Sequence, residues 1–311
     1  METTAADGGA PDAAREETYA LFRAGRTSTS NAALLLMGSL VLFVLAAIPG
    51  GSLRGVVLVT AVLLFHELGH WVAMRLCGYQ DTRIFFIPFF GAAASGRSVD
   101  ASPWQEGVVL LAGPLPGLLL AVLLLVFGTA RRDAFFIRAG NMLLWVNAFN
   151  LLPLAPLDGG RLFELVLFGR HRLLEAGFWV CAVAGLAALG VFLRSISLLP
   201  LAFLMLAALP QIFEMRYRVE KLRGQVRTDV ALAALTSEEL DALYGAATKL
   251  GQHHRNKPAL RSRTMLSLYD ALRRRSPAWR TSLALFGLWL LGVALVPLAL
   301  FSVALTRRLV L

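Results

Sequence analysis

The sequence predicts an all-α membrane protein, a polytopic helix bundle of about seven spans. Hydrophobic residues make up 57% of the 311 and charged residues only 16%, whereas soluble domains carry about 25% charged residues. Long stretches hold no charge at all: 27 residues between Arg26 and Arg54, 24 between Glu106 and Arg131, and 26 between Arg280 and Arg307. A helix needs only about 20 apolar residues to cross a bilayer. The basic residues, in turn, are crowded outside these stretches, with 14 of the 30 Lys and Arg between positions 214 and 280. This pattern argues against a soluble enzyme, a disordered tail or a secreted disulfide scaffold.

Residues 1–29 are polar and Ala/Gly-rich, and are expected to be disordered. Asp7, Asp12, Glu16 and Glu17 stand where a secretory signal would be positively charged, and the apolar run that follows is too long for a signal core. That run reads as a retained first span at about 30–49. Further spans fall at about 54–77, 105–128, 135–154, 176–193, 195–213 and 281–305. With seven spans, Lys and Arg divide 23 to 7 between the two sides. The rich side holds the N-terminus, the 78–104 and 155–175 loops and the 214–280 segment, and is placed in the cytoplasm.

Two short helices are expected inside the 214–280 segment. Thr236 and Glu239 form a capping-box pair, followed by Leu240, Leu243, Tyr244, Ala247 and Leu250 at helical spacing, with Gly251 as a stop. A second helix is expected from about Ser262 to Arg275, before Pro277. Arg216, Arg218, Lys221, Arg223 and Arg227 follow a span directly. They read either as a topogenic signal or as a patch holding this segment against an anionic leaflet. Nucleic acid is not the expected partner; the lipid bilayer is. The two cysteines, Cys77 and Cys181, imply no disulfide framework and read as small buried residues.

Ionisable groups inside a span are costly and mark function by default. The second span carries His66, Glu67 and His70, written HELGH. Residues four apart share one helix face, so the two imidazoles can grip one Zn²⁺, and Glu67 beside them can act as general base. The alternative is a histidine pair satisfied by packing. A catalytic zinc needs a third protein ligand. His171, His253 and His254 lie outside the spans in basic segments and are poor choices. Asp158 is better: it ends the fourth span in NLLPLAPLDGGR, where Pro153 and Pro156 break the helix and Gly159 and Gly160 let another backbone approach. Irregular backbone at membrane depth is tolerated only where it lines protein or a water cavity. Glu164 and Glu175 are the fallback ligands. Asn147 and Asn150 share a face of that span, as interhelical glue or, for Asn150, as a group that binds a substrate carbonyl or oxyanion.

HELGHWVAMRLCG at 66–78 and NLLPLAPLDGGR at 150–161 together resemble the two motifs of the site-2 protease family of intramembrane zinc metalloproteases, on separate spans and in the same order. The resemblance covers about residues 54–175. It implies one zinc per chain held by His66, His70 and Asp158, Glu67 as catalytic base, and Asn150 in substrate or transition-state binding. RIFFIPFFGAAASG at 83–96 is similar to that family's short re-entrant β-hairpin near the site. Leu111-Ala112-Gly113-Pro114 also fits, but many members carry an Asn three residues after that Pro where this chain has Gly117. The chain then divides into a disordered cytoplasmic N-terminus (1–29), a metalloprotease domain (30–213), a basic cytoplasmic helical segment (214–280) and a C-terminal transmembrane helix (281–311). The implied activity is cleavage of transmembrane segments of other membrane proteins, single-span regulatory proteins among them, as in regulated intramembrane proteolysis. The implied place is the cell membrane, multi-pass, with the site toward the cytoplasm. Arg outnumbers Lys 27 to 3, which associates with a GC-rich bacterial genome. The rival class is a metal-binding membrane protein that holds client helices without cutting them, but such a binder has no need of Glu67.

Overall fold

The computed structural model describes residues 9–25, 31–48, 52–88, 91–97, 101–168, 172–192, 194, 198–250, 257–274 and 276–310. The chain divides into two compact units. One comprises Ser30–Met205 with Arg275–Leu311, and the other Met1–Thr29 with Leu206–Arg274.

The smaller unit departs most from expectation. The N-terminal segment read as disordered contains helix α1 (Gly9–Ala24). Its Phe22 is fully buried and meets the Tyr269 ring edge-on, with centroids 6.2 Å apart. Local composition gives too little apolar surface to order this helix alone. Its partner lies more than two hundred residues away, on a helix no local reading can pair with it.

The larger unit begins with α2 (Ala32–Ala47) and α3 (Leu53–Leu76). Ser52 caps α3, its hydroxyl accepting from the Gly55 amide at 3.2 Å. An antiparallel hairpin follows, β1 (Gln80–Ile87) and β2 (Gly91–Arg97), with Ile84 opposite Ala94 and Phe86 opposite Ala92. The hairpin expected at 83–96 is therefore present. One face of β1 buries Ile84 and Phe86, and α2 packs against this strand, the Phe86 amide donating to Ser39 Oγ at 3.0 Å. Strand β2 packs against α3.

Helices α4 (Pro103–Ala112) and α5 (Pro114–Arg131) are separated at Gly113 by Pro114, which has no amide to continue the ladder. Arg132 then adopts a left-handed conformation (φ 54°), and Asp133 caps α6 (Ala134–Asn150). So short a turn makes α5 and α6 antiparallel neighbours. Gly128 and Gly140 let them close: a Cβ at Gly140 would stand 2.7 Å from Leu125 Cγ. The short α7 (Asp158–Val166) and α8 (Arg172–Phe192) follow. Helix α9 (Leu198–Leu222) contains the point of division between the units.

In the smaller unit α10 (Ser237–Leu250) and α11 (Pro258–Arg273) match the two short helices expected. Leu240, Leu243 and Ala247 are buried as the spacing requires; Gly251 lies outside the described residues. The capping box forms, Thr236 N donating to Glu239 Oε2 at 2.7 Å and Glu239 N to Thr236 Oγ1 at 3.4 Å. Glu239 also receives the Arg227 guanidinium at 2.8 Å, which holds its carboxyl well below the usual carboxylate range. Arg218 is likewise bonded to Glu214. Arg218 and Arg227, both read as part of a leaflet-binding patch, are thus engaged with carboxylates of the chain itself.

Helix α12 (Trp279–Val310) belongs to the larger unit and packs against α5, α4, α7 and α6. The core of this unit is formed by Leu118, Ala121 and Leu125 of α5, Leu143 and Leu144 of α6, Leu162 of α7 and Leu285 of α12.

Among the described residues four helical segments are long and apolar enough to cross a membrane: Leu53–Leu76, Pro103–Arg131, Leu174–Phe192 and Trp279–Thr306. The structure thus places helices where seven spans were expected, but four meet the requirement. Helix α2 has 16 residues and α6 has 17, short of about 20 at 1.5 Å each. The latter stops at Asn150 because Pro153 and Pro156 follow. In α9, Pro210 and the charged run from Glu214 to Lys221 take up half the helix. Both cysteines are free; Cys77 is half-buried and Cys181 exposed, so neither is the buried residue expected.

Candidate metal centre

His66 and His70 lie one turn apart on α3, both buried, their ring centroids 4.8 Å apart. Asp158 comes to them from the start of α7, at a helix N-terminus where a carboxylate is favoured by the helix dipole. The segment between α6 and α7 is folded tightly to put it there. A Cβ on Gly159 would stand 2.2 Å from the Leu151 carbonyl oxygen, and one on Gly160 2.3 Å from the Leu154 carbonyl carbon. The two glycines expected to admit another backbone do so. The Leu151 carbonyl, freed where the helix breaks, accepts from the Trp289 indole of α12 at 2.8 Å. The same indole meets the Phe163 ring of α7 with centroids 4.9 Å apart. Trp289 therefore grips the Asp158 loop at both ends.

Three atoms converge. His66 Nε2 and His70 Nε2 are 3.1 Å apart, and each is 3.1 Å from Asp158 Oδ2. The far nitrogen of each ring is held by an acceptor. His70 Nδ1 donates to the Val109 carbonyl at 2.7 Å. Val109 is among the last four residues of α4, whose carbonyls lack an intrahelical amide. His66 Nδ1 stands 2.8 Å from Asn147 Oδ1. The Asn147 Nδ2 donates to the Leu143 carbonyl at 2.7 Å, so its oxygen is the atom turned to the ring, and Nδ1 is the donor. Both Nε2 atoms are then left with lone pairs aimed at a carboxylate oxygen. A cation placed between these three bases would satisfy all of them.

The donor set fits zinc. Ligands about 2.0–2.1 Å from a tetrahedral ion stand about 3.3 Å apart, and nitrogen with carboxylate oxygen is a common zinc shell. Donation of each outer ring nitrogen to a carbonyl or amide oxygen is the usual arrangement around such a ligand set. His66, His70 and Asp158 are the group among the described residues whose ligand atoms all lie within 4.8 Å of one another.

Glu67 is buried beside the cluster, 7% exposed. The backbone of Ala94 hydrogen-bonds its carboxylate, so β2 runs alongside it. Asn150 is half-buried, and its Nδ2 donates to the Val146 carbonyl of its own helix at 3.0 Å. Asn147, which the sequence suggested mainly as glue, is the amide that enters the cluster. Its place three residues before Asn150 on an apolar helix was the available signal. The Val109 carbonyl left no signal, because any residue supplies one. The alternative ligand Glu164 lies further along α7 and Glu175 on α8, and neither joins the cluster. His171, His253 and His254 lie outside the described residues.

Known proteins share this segment. Residues 54–136, which carry His66, Glu67 and His70, match peptidase family M50. A candidate zinc metalloprotease of Synechocystis is 33% identical over 131 residues, 39% of this chain and 34% of that protein. Stage IV sporulation protein FB of Bacillus subtilis is 28% identical over 213 residues, 62% of this chain and 73% of that protein. A zinc metalloprotease of Methanocaldococcus jannaschii is 26% identical over 125 residues, 39% of this chain and 36% of that protein. The chain thus spans about a third of the length of the Synechocystis and Methanocaldococcus relatives. Through this match residues 54–136 are similar to peptidase family M50, the site-2 protease family.

Proposed function

We propose that the chain is an intramembrane zinc metalloprotease that cleaves transmembrane segments of other membrane proteins. The observation that supports this best is the meeting of His66 Nε2, His70 Nε2 and Asp158 Oδ2 at 3.1 Å, with Glu67 buried next to them. These three residues would hold one zinc, which supplies a Lewis acid that acidifies water and polarises a carbonyl. Glu67 takes the proton of the attacking water and passes it to the nitrogen of the leaving amine. Asn150 keeps one amide proton on Val146 and offers the other to the substrate carbonyl as negative charge develops on it.

The substrate is a membrane-spanning helix, a single-span regulatory protein being the simplest case. Its backbone is hydrogen-bonded internally, so it must unwind before attack, and helix-breaking residues near the cut favour cleavage. Since α2 packs against β1, an extended substrate segment would add to β2, the strand beside Glu67. The protein sits multi-pass in the cell membrane of a bacterium with this site toward the cytoplasm.

The test is zinc content together with cleavage of a membrane-embedded model substrate. Alanine at His66, His70 or Asp158 abolishes cleavage and lowers zinc content. Glu67→Gln abolishes cleavage while zinc stays, and Asn150→Ala lowers turnover by about 10²–10³-fold with zinc retained. Full activity in Asp158→Ala would remove the ligand assignment; cleavage that survives Glu67→Gln would remove Glu67 as the base; a wild type that binds client helices without cutting them, and does so equally after Glu67→Gln, would remove the protease reading and leave a binder.

A further inference from the structure

We infer that Asn147 is the positioning residue for the His66 imidazole, and that Gly117 is the vacancy in α5 that lets it reach. This rests on the reading of His66, His70 and Asp158 as a zinc site.

Asn147 is fully buried on α6. Its amide is fixed at both ends, Nδ2 on the Leu143 carbonyl at 2.7 Å and Oδ1 on His66 Nδ1 at 2.8 Å. Turning the His66 ring would strand a buried acceptor and a buried donor together, which is costly where no water can replace either. The bond therefore selects the His66 tautomer whose Nε2 lone pair faces Asp158. An apolar side chain of the same size would fill the space and leave the ring free to rotate or to take the other tautomer.

Gly117 explains how an amide from α6 gets this far. A Cβ at position 117 would stand 2.2 Å from Asn147 Nδ2, 2.5 Å from its Cγ and 2.5 Å from its Oδ1. Any side chain on α5 here would collide with the Asn147 amide itself. The geometry also defines a reciprocal arrangement: 2.5 Å is close to the separation of an asparagine's own Cβ from its Oδ1. An asparagine at 117 can thus set its oxygen where Asn147 Oδ1 now sits, provided Asn147 is cut back to alanine. Simple interhelical packing has no such requirement, because it depends on filled volume and not on where one acceptor oxygen lies.

The experiment measures zinc affinity of the purified full-length chain in detergent, by competition with a chromophoric chelator, beside helix content and elution volume. Wild type and His66→Ala come first: if wild type holds no zinc, or His66→Ala holds it equally well, the metal-site reading fails and this inference goes with it. Where wild type binds and His66→Ala does not, Asn147→Leu is expected to weaken zinc binding by about 10–100-fold at unchanged helix content. Asn147→Ala is weakened similarly, and adding Gly117→Asn to it recovers at least tenfold. Gly117→Asn alone, with both amides competing for one place, binds more weakly than wild type. Should Asn147→Leu fail to fold, the comparison of Asn147→Ala with its Gly117→Asn partner variant decides. Wild-type affinity in folded Asn147→Leu or Asn147→Ala would overturn the inference. So would a folded double variant no better than Asn147→Ala, since the acceptor would then not be what His66 needs.

Discussion

Replacing Gly113 by alanine should cost the metal site as well as the fold. Gly113 links α4 to α5, and the His70 ring lies against its α-carbon face. A Cβ there would stand 2.3 Å from His70 Nε2, 2.6 Å from Cε1 and 2.7 Å from Cδ2. Non-bonded heavy atoms settle at about 3.5–4.0 Å, so the ring must retreat by about 1 Å or the α4–α5 junction must open by as much. A metal site tolerates about 0.2 Å in ligand distance. The ring's other anchor is the 2.7 Å bond to the Val109 carbonyl, which cannot stretch by 1 Å and survive. Loss of that anchor alone is worth about 10–100-fold in metal affinity, or about 1.4–2.7 kcal/mol. Overpacking adds about 1–3 kcal/mol of instability. The assay is chelator competition for zinc beside a thermal melt, with Gly38→Ala as control because nothing lies within 4 Å of a Cβ there. Gly113→Ala is expected to melt somewhat lower and bind zinc at least tenfold more weakly; Gly38→Ala should match wild type in zinc affinity. A Gly113→Ala protein within twofold of wild type for zinc would refute the reasoning, because the junction would then yield without disturbing His70.

Trp289→Phe keeps a ring against Phe163 and Phe286 but removes the donor to the Leu151 carbonyl. It should lower stability by about 1–3 kcal/mol and loosen zinc with it; unchanged hydrogen exchange around Leu151 would show that the indole bond does not hold the loop. For Glu239, Arg227 keeps the folded carboxyl below its ordinary value of 4.5, so the group stabilises the fold above that pH and the contribution is lost as pH falls below it. Hydrogen exchange in α10 should therefore be faster in Glu239→Gln than in wild type at pH 7, with the gap narrowing below about pH 4.5; a gap that ignores pH would mean the capping geometry matters and the charge does not.

What could be read from the chain follows the range of the interactions. HELGH carries its own geometry, because residues four apart on a helix must share a face, and His66, Glu67 and His70 lie as the spacing requires. Asp158 was legible for a different reason: a carboxylate after a broken apolar helix has few ways to be satisfied, and the glycines after it announce a close approach. The hairpin and the capping box at Thr236 and Glu239 are local for the same reason. Seven spans were counted and four helices among the described residues meet the length requirement, because hydropathy reads an apolar run as one helix. Pro153 and Pro156 end α6 early, and the charges that follow Pro210 turn α9 into something other than a plain span. Helix α1 was missed since Phe22 finds its partner, Tyr269, only once the fold exists.

Gly117 and Asn147 show where sequence reasoning stops. Taken alone, Gly117 is a departure from what the resemblance leads one to expect on α5, and Asn147 is an amide on an apolar helix with an unspecified role. They are 30 residues apart on different helices, and no periodicity connects them. In space each accounts for the other: the glycine is empty because the amide fills its place, and the amide reaches His66 because the glycine is empty. The function of each residue is a property of the pair, so a substitution at either can be judged only with the other in view. It also follows that the acceptor which orients a metal ligand need not stay on one helix. What the site requires is an acceptor oxygen about 2.8 Å from His66 Nδ1, and α5 and α6 both pass near enough to supply it.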